Sequence, residues 1–176
     1  MSANTNLRKA GHAPRGAARL ALFCLFGSML LPAHCTRAAT AQSGYVSNHS
    51  KLILSSTQDW GVLGFDTAAH APDKDGVPLQ IAEKSFSKGL GHHANGVITL
   101  VTDGHYESFD AEVGIQPCAR GGVVFRIIVD GQQRFDSGVM RSGDAPKLVH
   151  VSLAGAQEVR LEANDAGDGI SCDMAN

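Results

Sequence analysis

Several signatures that would announce chemistry are missing from this sequence. There is no G-x-S-x-G elbow to expose a serine nucleophile, no H-E-x-x-H pair to hold zinc, no Walker loop and no dinucleotide fingerprint. The run GLGHHANG at 89–96 lacks the strand-loop-helix setting, and the lysine and hydroxyl, that a phosphate loop needs. Helical periodicity is absent as well, which argues against bundles and βαβ units. Aromatic residues make up only 6% of the chain, with Trp60 the single tryptophan. The apolar run at 20–31 falls well short of the roughly 20 residues that a membrane-spanning helix needs.

Acid is missing from the first 41 residues, where Arg8, Lys9, Arg15 and Arg19 precede the apolar run and Ala39-Thr40-Ala41 supplies an A-x-A cleavage signal. Residues 1–41 therefore read as an export leader cleaved after Ala41. Cys35 follows Pro32-Ala33-His34, and a histidine there is too large for a lipoprotein cleavage site. The expected product is a soluble secreted or periplasmic chain, 42–176, of the usual size for one domain. Arg8, Lys9, Arg15, Arg19 and Arg37 leave with the leader while all 17 acids stay, so the remaining chain is distinctly acidic. That excludes nucleic acid and anionic membrane as partners, since both require a concentrated basic surface.

Cys24 and Cys35 also leave with the leader, so Cys118 and Cys172 remain as an even pair, expected to form a disulfide in an exported chain. A bridge over that separation contributes about 4 kcal/mol in the chain-entropy picture. Neither cysteine has a Cys or His neighbour at metal-ligand spacing.

After a polar lead-in at 42–50, the chain reads as short strands separated by turns. Phe109, Ala111, Val113 and Ile115 alternate with polar or small residues, and Val123, Phe125, Ile127 and Val129 form a second apolar row. Asp130-Gly131 predicts a hairpin. Val149, Val151 and Leu153 mark a further strand, as do Val159, Leu161 and Ala163, and a short one spans 97–101. Many strands without helices predict an all-β antiparallel sandwich, with a jelly roll as the best single topology. Because the sequence stops soon after an acidic loop, the sheet is expected to lack its last strand.

Polar residues concentrate in two glycine-containing segments, KGLGHHA at 88–94 and DAGDGISCD at 165–173, expected to be loops where function resides. His92 and His93, if extended, point to opposite faces and cannot share one metal, so one faces the core and the other a ligand. Trp60, in QDWGVLGFD, offers either a core residue or an aromatic platform for the apolar face of a sugar. Asp66, Asp73, Asp75, Asp165, Asp168 and Asp173 are hard oxygen donors of the kind calcium takes, without EF-hand spacing. Asp165 and Asp168 could in principle form a glycosidase pair, but a domain this small rarely encloses a deep catalytic cleft.

In order along the chain, WGVLGFD (60–66), DGVPLQI (75–81), FSKGLGHHA (86–94), YESFDAEVGI (106–115), VFRIIVDG (124–131), FDSGVM (135–140) and LEANDAGDGISCD (161–173) resemble the NPCBM family. The resemblance covers essentially all of 42–176. It implies a galactose-binding-like β-sandwich acting as a non-catalytic carbohydrate-binding module for galactose-type glycans, commonly appended to a glycoside hydrolase and sometimes holding calcium. On that reading Trp60, His93, Asp168 and Asp173 bind the sugar, Asp66 and Asp165 are candidate calcium ligands, and His93 matches the family's histidine after KGLG. The chain departs from the family pattern at Met174, which replaces a histidine, and at Asn176, which replaces an acid. Two alternatives stand beside this one: a protein-interaction module on the same fold, and a truncated accessory domain of a glycoside hydrolase.

Overall fold

The computed structural model describes residues 6–9, 43–118 and 121–176. Most of the expected leader, including its apolar run and cleavage signal, lies outside them. Among the described residues no helix is long and apolar enough to cross a membrane, and the only helical turns are 3-10 turns at Val46–Asn48 and Ser50–Leu52. The rest is strand and turn, as alternation without helical period requires.

The strands are β1 (Asn6–Lys9), β2 (Ser43–Tyr45), β3 (Ile53–Thr57), β4 (Gly64–Phe65), β5 (Leu79–Ile81), β6 (Lys84–Phe86) and β7 (Leu90–His93). They continue as β8 (Gly96–Val101), β9 (Tyr106–Val113), β10 (Gly122–Val129), β11 (Gln132–Arg141), β12 (Lys147–Ser152), β13 (Glu158–Asn164) and β14 (Met174–Ala175). A five-stranded antiparallel sheet runs β11-β10-β13-β8-β3 and a four-stranded one runs β12-β9-β1-β2. A small sheet, β14-β7-β4, and the hairpin β5-β6 complete the described structure. The expected all-β antiparallel sandwich is what forms.

The apolar rows read in the sequence become the facing layers of one core. Phe109 and Val151 of one sheet and Phe125, Ile127, Val159 and Leu161 of the other are all buried in a single cluster. The 154–156 turn does not close a hairpin: β12 pairs with β9 and β13 with β10 and β8, so the chain crosses between layers there. The Asp130-Gly131 hairpin is present, with φ of 47° and 77°, the doubly left-handed backbone of a two-residue turn. Asp130 also caps the neighbouring turn, its Oδ1 accepting from the N–H groups of Gln157 and Glu158 at 3.0 and 2.9 Å.

Two sequence expectations change. The lead-in is structured from residue 43 onward, because β2 joins a sheet and Val46 is completely buried in the core. Asn6–Lys9, assigned to the leader, forms β1 between β9 and β2, with Leu7 buried in the same core. At the other end Met174 and Ala175 pair with β7 as β14, and Ala175 also bridges Ile115.

Candidate functional site

Most of KGLGHHA is strand and not loop, since β7 takes up Leu90–His93, and its Gly91 is demanded by packing. Gly91 of β7 stands opposite Gly64 of β4, where the chain passes under residues 67–68. A methyl group at Gly91 would sit 2.3 Å from the Thr67 carbonyl oxygen, and one at Gly64 2.2 Å from it, so neither position accepts a side chain. Asp66 locks the crossing by accepting from the Lys88 ammonium at 2.6 Å and the Gly89 N–H at 3.1 Å. Burial pushes the Asp66 carboxyl up, but bonds from Lys88, Ser47 and Gly89 outweigh it and hold the group below the usual carboxylate range. These two motifs are therefore scaffold, and their product is the placement of His93 beside Trp60.

The extended backbone of β7 sends the two histidines to opposite sides, as alternation requires. His92 is wholly buried, with Nε2 bonded to the Thr57 carbonyl at 3.0 Å and Nδ1 unpartnered. Burial drives its pKa down to about 3, so it is a neutral core residue. His93 is 5% exposed, and its Nδ1 bonds the Ala94 carbonyl. A carbonyl only accepts, so Nδ1 carries the proton, and in the neutral imidazole Nε2 is left with an acceptor lone pair.

Trp60 is not in the core. It is 45% exposed, and its ring centre lies 5.4 Å from that of His93 with the planes tilted by 52°. The two rings line a cleft of about 370 Å³ with Cys118, Ile170, Ser171, Cys172 and Met174. The expected disulfide is present between Cys118 and Cys172, so the bridge itself forms part of the wall. Asn95 ties the cleft's two rims together. Its N–H and side-chain amide donate to Asp59, next to Trp60, and its side-chain oxygen accepts from the Asp165 N–H at 3.0 Å.

The aspartates assigned to ligand binding fall elsewhere. Asp168 is outside the cleft and faces Arg141 at 3.4 Å on the exposed side of its loop. Asp173 has no exposed surface, and the Gly122 backbone N–H is the one neighbour that favours its charged form. Burial and the charges of Asp168 and Asp165 raise its pKa to about 6. It is a buried acid, not a ligand-facing one, and Gly121 admits it: a methyl group there would lie 2.3 Å from Asp173 Oδ1. The proposed calcium ligands do not fit that ion as placed. Asp66 is committed to Lys88, Asp165 turns one oxygen onto the Gly167 N–H at 3.0 Å, and among the described residues no three metal-ligating side chains converge.

Sequence reasoning put Ile170 and Ser171 in a functional loop and marked Met174 as a departure from the family pattern, but did not single them out as cleft lining, and it gave Asn95 no role. Alternation cannot place residues on irregular loops, and only Asn95-Gly96, a turn dipeptide, signalled a bend.

The NPCBM/NEW2 domain profile matches residues 42–176. The chain belongs to the NPCBM/NEW2 domain family. A family 51 carbohydrate-binding module (CBM51) from Clostridium perfringens GH95, solved with methyl-galactose, is similar in fold with a TM-score of 0.68 and 25% identity. The match covers 75% of this chain and 93% of that one. The chain also resembles the structure of the M60 catalytic domain with CBM51-1 and CBM51-2 from Clostridium perfringens ZmpB. There the TM-score is 0.65 and the identity 30%, over 77% of this chain and 15% of that one. In sequence it is 32% identical over 111 residues to a Renibacterium salmoninarum protein assigned as an endo-alpha-N-acetylgalactosaminidase. This NPCBM chain spans about 7% of that relative's length. The fold and family are thus those of a carbohydrate-binding module.

Proposed function

We propose that this NPCBM domain binds a terminal galactose-type sugar in the Trp60–His93 cleft, without catalysis, as an exported module that directs a glycoside hydrolase to its glycan. The observation that carries this reading is the pairing of the half-exposed Trp60 ring with the His93 acceptor, 5.4 Å apart over a cleft walled by Ile170, Met174 and a disulfide. A pyranose has an apolar C–H face and a polar rim. The indole covers the face while Nε2 of His93 accepts from one hydroxyl, so stacking supplies area and the imidazole supplies direction. An axial hydroxyl at C4 leaves the adjoining C–H groups of galactose on one side as a continuous apolar patch, which suits such a platform better than glucose does. The cleft offers no pair of free carboxylates to cleave a glycosidic bond, because Asp168 is paired outside it and Asp173 is buried.

Isothermal titration with methyl-galactose and methyl-glucose tests the proposal. Galactose should bind in the millimolar range or tighter, about −4 kcal/mol or better, and glucose measurably less tightly. Trp60→Ala should weaken galactose binding about tenfold or more, and His93→Ala by about fivefold, the worth of one hydrogen bond. Equal affinity in the Trp60→Ala protein would move the site away from this cleft.

A further inference from the structure

The two large sheets stand apart along one side of the sandwich. β11 ends the five-stranded sheet and β12 ends the four-stranded one, and among the described residues no ladder joins them. Lys147 of β12 closes this gap at one end, its ammonium donating to the Ser137 carbonyl of β11. At the other end the gap opens into a hollow of about 510 Å³ between the 130–131 hairpin and the 154–156 turn. Asp130, Gln132 and Arg134 line it on one side and His150 and Ser152 on the other, with Val151 and Ala156 among its apolar lining. The hollow lies at the opposite pole from the Trp60–His93 cleft. β10 starts at Gly122, one residue past a glycine packed on the Cys172 carbonyl of that cleft. It reaches the hollow at Val129, about 23 Å further on at the rise of an extended strand.

Unpaired polar groups converge on this hollow. Ile127 stands opposite Phe135 and Ile128 opposite Gln133, so one step on β10 spans two on β11 and Arg134 is the extra residue of a bulge. A bulge frees its extra residue from the ladder and re-aims its side chain. Arg134 thereby joins the wall of the hollow, with no hydrogen-bond or ion-pair partner among the described residues. β12 supplies main-chain groups. The Leu153 N–H donates to the Glu107 carbonyl of the β9 side at 2.8 Å, so alternation directs the N–H and C=O of His150 and Ser152 to the free edge. The His150 ring is held by Asp110 through Nδ1 at 2.6 Å. Asp130 adds an acceptor, because Oδ1 takes the Gln157 and Glu158 N–H groups and Oδ2 is left over.

We propose that this hollow is a second ligand site, which takes a saccharide residue bearing one carboxylate, as a uronic or sialic acid does. The Arg134 guanidinium is a planar fork that matches a carboxylate and receives it through two parallel N–H···O bonds. The Gln132 amide, Asp130 Oδ2 and the main chain of His150 and Ser152 offer donors and acceptors to hydroxyls, while Val151 and Ala156 cover an apolar ring face. One cation beside one carboxylate suits a singly charged, hydroxyl-rich ligand and repels a polyanion. The Lys147–Ser137 bond blocks the length of gap that an extended peptide would need, so the space is shaped for a compact ligand. Its volume is that of a small-molecule site, roughly 300–1,000 Å³. The site stands apart from the Trp60–His93 cleft and does not rest on what that cleft binds.

Titration of the full chain, followed by nitrogen–proton correlation spectra, tests this. The probes are methyl β-glucuronide and N-acetylneuraminic acid, with methyl β-glucoside as the ring without its carboxylate and sodium acetate as the carboxylate without its ring. At least one acidic sugar should shift the amides of Gln132, Arg134 and Ser152 saturably, with a Kd of about 1 mM, and leave those of Trp60 and His93 in place. The tighter of the two identifies the acid. Methyl β-glucoside and acetate should each bind about tenfold more weakly or worse. Arg134→Ala, a change at an exposed position, should weaken the acidic sugar about tenfold or more, and Arg134→Lys should recover only part of the loss because an ammonium lacks the fork. Glucoside or acetate binding as tightly as the acidic sugars overturns the proposal, as does unchanged affinity in the Arg134→Ala protein. Shifts confined to Trp60 and His93, or no saturable shift from either acid at about 10 mM, also overturn it.

Discussion

A methyl group added at Gly91 would stand 2.3 Å from a backbone oxygen, whereas one added at Gly167 would meet nothing within 4 Å. The segments around them, 88–94 and 165–173, look alike in sequence, both rich in glycine and polar side chains. In the first, glycine is imposed by a neighbour, because β4 and the 67–68 backbone leave no room for a side chain. In the second it is imposed by the chain's own path, since Ala166, Gly167 and Gly169 have φ of 52°, 84° and 90° on an exposed loop. The buried segment positions His93 in the cleft wall, while the exposed segment contributes further wall residues and is anchored by the disulfide. Composition reports that a glycine is needed, but not which of these two reasons applies.

Breaking the anchor of the exposed segment should have the largest effect. Cys118 and Cys172 are 54 residues apart, so replacing both by serine should cost about 4 kcal/mol of stability, seen as a lower denaturant midpoint, and should loosen the Trp60–His93 cleft. A smaller loss is expected in the buried segment. Gly91→Ala forces a methyl into backbone and should cost about 3 kcal/mol, the upper end of ordinary overpacking. Gly167→Ala has space and meets only the left-handed backbone penalty, about 1 kcal/mol. Equal thermal shifts for the two alanines would erase the distinction between glycine required by contact and glycine required by conformation.

A third comparison uses pH. The folded-state pKa of Asp173, raised to about 6 from 3.8, means that its stability contribution is complete below about pH 3.8 and is lost as pH rises through 6. Asp173→Asn should therefore raise the melting temperature at pH 8, where up to about 3 kcal/mol of ionisation cost is removed, and leave it nearly unchanged at pH 3.5. His92 in the first segment carries the opposite sign. Its pKa, depressed to about 3, means stability that is present above about pH 6.5 and lost as pH falls toward 3. A melting profile of Asp173→Asn parallel to that of the parent at every pH would sink the titration argument.

The strands were legible because alternation is a local property: Phe109 to Val113 and Val123 to Val129 each declare a buried face within a few residues. The Asp130-Gly131 turn was legible for the same reason, since the dipeptide itself favours the left-handed backbone it adopts. Trp60 could be named as a candidate because an aromatic face stacks on a sugar, and His93 because it matches the family's histidine after KGLG, but whether Trp60 was core or platform stayed open. Asp168 and Asp173 could not be sorted. Whether a carboxylate meets solvent, an arginine or the interior depends on residues such as Arg141 and Gly121 that are distant in the chain.

Sequence alone determined the all-β class, the cysteine pairing and the family, since each depends on patterns within short windows or on the identity of a few residues. Tertiary structure alone decided that Gly91 is scaffold, that Trp60 packs against His93 in the wall of a cleft, that Asp173 is buried, and that residues 6–9 pair along an edge of β9. The physical reason is range. Periodicity and turn propensity act between neighbours in the chain, whereas steric exclusion, desolvation and strand pairing act between groups that only folding brings together.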